Sequence, residues 1–295
     1  MKRGIYIMIA GLLFGMSIFA QNNEIIQEEI IYKTINGISL KADLFYLAET
    51  GDMKAHPAIA FFHGGGWSYG SPSEFHEACT RYARKGFITF SFHYRLSVNE
   101  DGTVPHPDIT PVESVKDTRS ALRWIRENAE KFNIDPGRIV ACGQSAGGQL
   151  ALSAALIDDV NEESDNLDIS PVPAAIVLYS SNVNTMEAWV DRLMGNRRNE
   201  IWSISPHHNL KSGLPPIIAF HGEEDCMVPI WVVRHFKEKI TRLNNDFELI
   251  VFDGRKHYLG DEDPQYGRYY DEEIFKMTDE FLIKHGFLDP SAPVF

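Results

Sequence analysis

The sequence is poor in cysteine and in positive charge, and each shortage removes a class of function. Its three cysteines, Cys79, Cys142 and Cys226, form no CxxC pair and have no histidine ladder beside them. A structural zinc site and a disulfide-stapled scaffold are therefore not indicated. Cys142 sits inside an apolar run and reads as core. The odd count leaves at least one thiol free, and a Cys79–Cys226 bridge stays open at this level. Lysine and arginine number 28 against 41 aspartates and glutamates, a formal net charge of −13. Such a chain is repelled by nucleic acid and by anionic lipid, so neutral or cationic small molecules are the expected partners. No lysine follows the glycines of "HGGGW" in the P-loop pattern, and the spacing there is not G-x-G-x-x-G, which argues against a phosphate cradle. Nothing in the sequence asks for a cofactor or a metal.

Long hydrophobic runs are missing too, apart from one at the start. "MKRGIYIMIAGLLFGMSIFAQNNE" carries Lys2 and Arg3, an apolar run from Ile5 to Phe19, and Ala20 before polar Gln21. This pattern predicts a signal peptide over 1–20, cleaved after Ala20, and an exported protein of the periplasm or beyond. A run of about 15 residues is short for a span, which needs roughly 20, so no stable membrane insertion is expected after cleavage. No cysteine follows the cleavage point to carry a lipid. The stretch 21–295 fits one domain with a core deep enough to cover a sheet on both faces; the sequence sets no oligomeric state.

The patterning predicts alternating strands and helices. "EEIIYKTI" and "ISLKADLFYL" alternate with period two around Asn36-Gly37, a hairpin turn. "HPAIAFF", "FITFSFHYRL", "RIVACG", "PAAIVLYS", "PPIIAFHG" and "DFELIVFDG" read as further strands, most of them nearly continuous apolar runs. Between them, "FHEACTRYARKG", "DITPVESVKDTRSALRWIRENAEKFNID", "AGGQLALSAALI" and "IWVVRHFKEKI" have helical spacing. Together they predict an α/β architecture: a mainly parallel central sheet of about eight strands with helices on both faces. The one sizeable irregular stretch, 180–212, is long enough for a lid or pocket wall, with Trp189, Leu193, Met194 and Trp202 as its bulky residues.

In such sheets ligands bind beyond the carboxyl ends of the strands. There "GQSAGG" places Ser145 between Gly143 and Gly147, a strand-turn-helix that exposes the hydroxyl beside a helix N-terminus beginning near Ala146. A serine needs a base, and the base an orienting acid. The order serine, acid, histidine is met by Asp225 in "HGEEDCMVP" and His257 in "GRKHYLG". Glu223 and Glu224 compete for the acid role from the same loop, and His285, at a helix end, competes for the base. His63, His93 and His221 read as loop braces. Consecutive glycines in "HGGGW" let Gly65 and Gly66 turn their N–H groups inward; with Ala146 they would form a three-donor oxyanion hole.

Taken together, "HGGGW", "YRL", "DTRSALRWIRENAEKFNIDPGRIVACGQSAGG", "HGEEDCMVP" and "GRKHYLG" resemble the esterase and lipase branch of the α/β-hydrolase superfamily similar to hormone-sensitive lipase, and within it bacterial acetyl and feruloyl esterases. The likeness runs from about Glu29 to Gly286. It implies an α/β-hydrolase fold, a triad of Ser145, Asp225 and His257, an oxyanion hole of Gly65, Gly66 and Ala146, and supporting roles for Arg95 and Asp117. There are departures: Gln144 stands where relatives often carry a carboxylate, Arg255 and Lys256 where small residues are common, and the early residues read as strands in place of N-terminal cap helices. A relatively open site follows. The expected activity is serine carboxylic-ester hydrolysis of short acyl groups, acetyl or feruloyl, on small molecules or carbohydrates. An inactive binding protein on the same scaffold and an amidase or peptidase are the rivals.

Overall fold

A computed structural model describes residues 24–48, 54–260 and 268–291. The predicted leader, 1–20, lies outside them. The chain opens with β1 (Ile25–Ile35) and β2 (Ile38–Leu47), antiparallel in register from Ile25↔Leu47 to Ile35↔Ile38. Asn36 and Gly37 both take positive φ, 49° and 83°, as a two-residue hairpin turn demands. β2 then pairs antiparallel with β4 (Ile88–Phe92). From β4 onward the sheet is parallel: β3 (His56–Phe62), β5 (Ile134–Gln144), β6 (Ala175–Tyr179), β7 (Ile217–Gly222) and β8 (Phe247–Phe252). The eight strands lie in the order β1-β2-β4-β3-β5-β6-β7-β8, the α/β-hydrolase arrangement.

Helices sandwich this sheet because its strands are apolar on both sides. On β3, Ala58, Ala60 and Phe62 face one core with α2 (Pro111–Glu127), α3 (Ala146–Leu156) and α5 (Ile230–Thr241). Ile59 and Phe61 face the other, with α1 (His76–Arg84) and α6 (Glu272–Lys284). α2 starts where the sequence can start a helix: Thr110 and Glu113 form a reciprocal capping box, with Pro111 in the first turn. It also ends earlier than the spacing predicts. Asn128 leaves the helical region and Asn133 takes φ of 51°, so 128–133 turn back to the sheet.

Strand order reverses around β3, which has β4 on one side and β5 on the other. The loops after β3 and β5 therefore leave the same carboxyl edge side by side, where α/β sheets place ligands. The stretch after β6, predicted irregular, forms α4 (Ala188–Leu193) and short 3-10 turns over Gly195–Ile204 and Pro206–His208. All three cysteines are free; Cys79 is buried against the sheet while Cys226 is exposed in the loop after β7, so the open question of their bridge is answered in the negative. Among the described residues no helix is long and apolar enough to cross a membrane.

Candidate active site

Ser145 stands at the junction of β5 and α3 with φ 50° and ψ −117°, left-handed backbone on a residue with a Cβ. A strained turn of this kind persists only where its surroundings dictate it. Here they do, because the turn is packed backbone to backbone. A Cβ on Gly143 would lie 2.2 Å from the Gly147 carbonyl oxygen, and one on Gly147 would lie 2.0 Å from that of Phe62 and 2.3 Å from that of His63. Both glycines are sterically required, and the serine is left partly exposed at the apex. Its N–H is held by the Tyr179 carbonyl at 2.9 Å.

The loops after β7 and β8 bring the acid and the histidine together. His257 Nδ1 lies 2.8 Å from Asp225 Oδ2, with both residues buried. A carboxylate can only accept, so Nδ1 carries a proton, and in the neutral ring it is Nε2 that keeps the lone pair. That Nε2 is buried and has no hydrogen-bond partner among the described residues. His257 and Ser145 together line a cavity of about 340 Å³, lined also by Gly66, Ser68, Tyr69, Trp189, Leu193, Met227, Val228 and Tyr269. The arrangement can take a proton from a hydroxyl in that cavity and stabilise the resulting imidazolium.

Burial would raise the Asp225 carboxyl, but hydrogen bonds from His221 and His257 and from the Val228 N–H outweigh it and hold the group well below the usual carboxylate range. The Met227 and Val228 N–H groups each donate to Oδ1 at 2.9 Å. His221 Nε2 donates to the Val228 carbonyl at 2.8 Å and lies 3.1 Å from Asp225 Oδ2. The rival acids are elsewhere: Glu223 pairs with Arg234, and Glu224 is exposed. His285 caps α6 and faces Asp246 at 3.9 Å. His63 is a loop brace, bonding the Gly64 carbonyl at 2.8 Å, and burial lowers it to about 4, which keeps it neutral.

The "HGGGW" loop lies against the serine turn. Gly65 and Gly66 take φ of 102° and 54°, and a Cβ on Gly65 would meet the Tyr69 carbonyl oxygen at 2.0 Å. The Tyr94 hydroxyl ties the loop down through the His63 and Gly64 carbonyls at 3.0 and 3.1 Å. Ala146 is the first residue of α3, so its N–H has no carbonyl one turn earlier in the helix to bond. Trp67 anchors the far end of the loop, donating from its indole to Gln149 Oε1 at 3.0 Å, and stacks on Trp189 at 5.4 Å between ring centroids. Trp189 in turn lies over Gly66, where a Cβ would meet its ring at 3.2 Å.

Other residues singled out in the sequence are sorted by their surroundings. Of the four bulky residues in 180–212, Trp189 and Leu193 line the cavity, Met194 packs in the core and Trp202 is exposed. Arg95 grips Asp117 through Nε and one terminal nitrogen, at 3.0 and 2.6 Å to the same oxygen; Asp117 is fully buried, so this pair braces the loop after β4 from inside. Arg255 turns away from the cavity toward Asp271 at 2.8 Å, and Lys256 is exposed, so neither shapes the pocket edge. A second cavity of about 460 Å³ lies across Tyr69 and Tyr269, lined in addition by Glu74, Gln144, Tyr258, Arg268 and Tyr270. Two contacts escaped sequence reasoning, His221 on Asp225 and Glu74 on Gln144. The first had a faint signal in the i,i+4 spacing across the end of β7; the second, 70 residues apart in the chain, had none.

Fold and site geometry define an α/β-hydrolase with the organisation of the esterase and lipase branch. More narrowly, residues 43–240 match the BD-FAE family, and the chain belongs to it. Among solved structures, the chain is similar to esterase 2 of Thermogutta terrifontis phosphorylated by paraoxon, with 31% identity, TM-score 0.79, and coverage of 90% of this chain and 96% of that one. The propionate-bound form of the same esterase matches with 31% identity and TM-score 0.79, again over 90% and 96% of the two chains. Among curated proteins, esterase LipC of Mycobacterium tuberculosis is 27% identical over 65% of this chain and 50% of its own length. The chain spans about half the length of the curated relatives it matches.

Proposed function

We propose that the protein is a serine carboxylic-ester hydrolase acting on short-chain acyl esters. The carrying observation is that a strained, partly exposed Ser145 and a His257 whose Nε2 has no partner among the described residues line one cavity while Asp225 holds the other side of the imidazole. In this reading the Ser145 proton passes to Nε2 as Oγ bonds the acyl carbon. The carbonyl oxygen becomes an oxyanion facing the N–H groups of Gly65, Gly66 and Ala146, each such donor contributing about 3–4 kcal/mol to the barrier reduction. Collapse breaks the bond to the alcohol, which leaves with the proton from Nε2. A water then repeats the sequence, releasing the acid and free serine.

The short-acyl reading is supported by the modest cavity and by the Trp189 indole in its wall; the similar esterase of T. terrifontis has been seen with propionate and with butyrate bound. Acetyl or feruloyl groups on a carbohydrate alcohol are favoured further by the second cavity, whose tyrosines, Glu74, Gln144 and Arg268 offer aromatic faces and hydrogen-bonding groups together. Rates on acetyl, butyryl, octanoyl and feruloyl p-nitrophenyl esters and on acetylated xylan test this. Highest kcat/KM on acetyl or feruloyl esters is expected; a preference for octanoyl would overturn the short-acyl reading. Trp189→Ala should raise the octanoyl-to-acetyl ratio of kcat/KM about tenfold by opening the acyl side. Its measurement is the same ester series.

His221 is a positioning residue in this scheme. His221→Ala removes a charge-assisted contact worth about 1.5–3 kcal/mol to Asp225, so kcat should fall about 10- to 100-fold with KM little changed. An unaltered kcat would show that the Met227 and Val228 N–H groups suffice. Export is part of the proposal through the leader at 1–20. Mass spectrometry of protein recovered from the periplasm or medium should then find an N-terminus at Gln21, and full-length protein confined to the cytoplasm would refute it.

A further inference from the structure

The oxyanion donors come from two separate pieces of chain, the loop after β3 and the first turn of α3, and hydrolysis needs them held in one geometry. Glu74, in the 3-10 turn Pro72–Phe75 before α1, contacts the end of the first piece at Ser71 and, at Gln144, the last residue of β5, which leads through Ser145 into the second. One carboxylate oxygen accepts from the Gln144 side-chain amide, directly before Ser145. The other accepts from the Ser71 N–H at 3.1 Å, at the far end of the loop that carries Gly65 and Gly66. The Glu74 main chain is fixed as well, its carbonyl accepting from the Tyr270 hydroxyl at 2.8 Å. The packing leaves no slack around these contacts. A Cβ on Gly64 would lie 3.3 Å from Gln144 Cγ and 3.4 Å from Ser145 Cβ, and one on Gly70 would lie 3.1 Å from Glu74 Oε1 and 2.5 Å from His63 Nδ1.

We propose that Glu74 is a positioning residue: with Gln144 it clamps the glycine loop to the serine turn and so sets the relative placement of the Gly65, Gly66 and Ala146 N–H groups. This rests on the esterase reading of the site. A carboxylate opposite an amide is a complementary pair, since the amide can donate while the carboxylate only accepts. Gln144 is therefore the residue that a carboxylate at 74 calls for. Two carboxylates at these positions would repel, whereas exchanging the two side chains would rebuild the pair in the opposite sense. The clamp also borders the second cavity, which both residues line.

The exchange is the test. Gln144→Glu alone should lower kcat on p-nitrophenyl acetate about 100-fold and Glu74→Gln about tenfold, with KM within about twofold, as expected for sub-ångström displacement of donors that act in the transition state. The double variant E74Q/Q144E should return to within about threefold of wild type. Inhibition by a trifluoromethyl ketone, which forms a tetrahedral adduct on the serine, should weaken and recover in parallel. Melting temperatures measured alongside separate a folding defect from a turnover defect. A double variant no better than Q144E, or Glu74→Ala with kcat unchanged, would overturn the clamp while wild-type activity stood. Wild-type protein without activity on any of these esters would instead refute the esterase reading itself.

Discussion

Ser145→Ala is expected to lower kcat on p-nitrophenyl acetate by about 10,000-fold or more while leaving the melting temperature within a few degrees of wild type. The hydroxyl is the only atom lost, and the strained φ of 50° remains because alanine keeps the Cβ. Residual rate would come from the oxyanion donors and binding alone. Intact-mass analysis after treatment with an organophosphate should find one adduct on wild type and none on the variant. Unchanged hydrolysis by purified Ser145→Ala would place the nucleophile elsewhere, and wild-type protein inert toward both ester and organophosphate would favour a binding protein on this scaffold. Ser145→Gly offers a second arm. Glycine accepts φ of 50° without a Cβ penalty, so it should melt higher than Ser145→Ala by the equivalent of about 1 kcal/mol. Higher stability with no activity would mark the serine's backbone strain as a cost of the site.

The second large effect is on stability. Gly147→Ala would drive a methyl group to 2.0 Å from the Phe62 carbonyl oxygen and 2.3 Å from that of His63, both main-chain atoms at the end of β3. No rotamer relieves a backbone clash, so α3 must move off the sheet. A loss of at least about 3 kcal/mol is expected, lowering the melting temperature by about 6–12 °C. Activity should fall with it, because His63 leads directly into the glycine loop. Gly213→Ala is the control: its φ is 76° but nothing lies within 4 Å of a Cβ, so only the local backbone cost of about 1 kcal/mol applies. Equal melting temperatures for the two variants, measured by calorimetry, would show that the turn is not wedged against β3.

Much of the frame was legible because it depends on short-range signals. The eight strands follow from apolar runs and alternation, the edge hairpin from Asn36-Gly37, and the start of α2 from Thr110, Pro111 and Glu113. That Ser145, Asp225 and His257 come to one edge was legible for a related reason: each lies in the turn or loop after a strand of the parallel part of the sheet, and such a sheet gathers its strand ends at one edge. Where the local signal conflicts with packing, packing prevails. α2 was predicted to run on through "NAEKFNID", but it stops at Glu127, where the chain must turn to enter β5. The lid residues show the same limit. Trp189 and Met194 are five positions apart on neighbouring turns, yet one lines the cavity and the other is fully buried in the core.

The sequence by itself determined the sheet, the covering of both its faces, and the order of serine, acid and histidine along the chain, since periodicity, glycine placement and strand ends are local properties. Only the tertiary structure decided which carboxylate meets His257, that His221 supports that carboxylate, that Glu74 reaches Gln144, and that Trp189 rather than Trp202 lines the cavity. Except for His221 and Asp225, which lie four positions apart, those choices turn on close contacts between segments tens of residues apart. Hydrophobic pattern sets which face of an element is buried; it carries no record of which side chain on a neighbouring loop will lie opposite once the faces are packed.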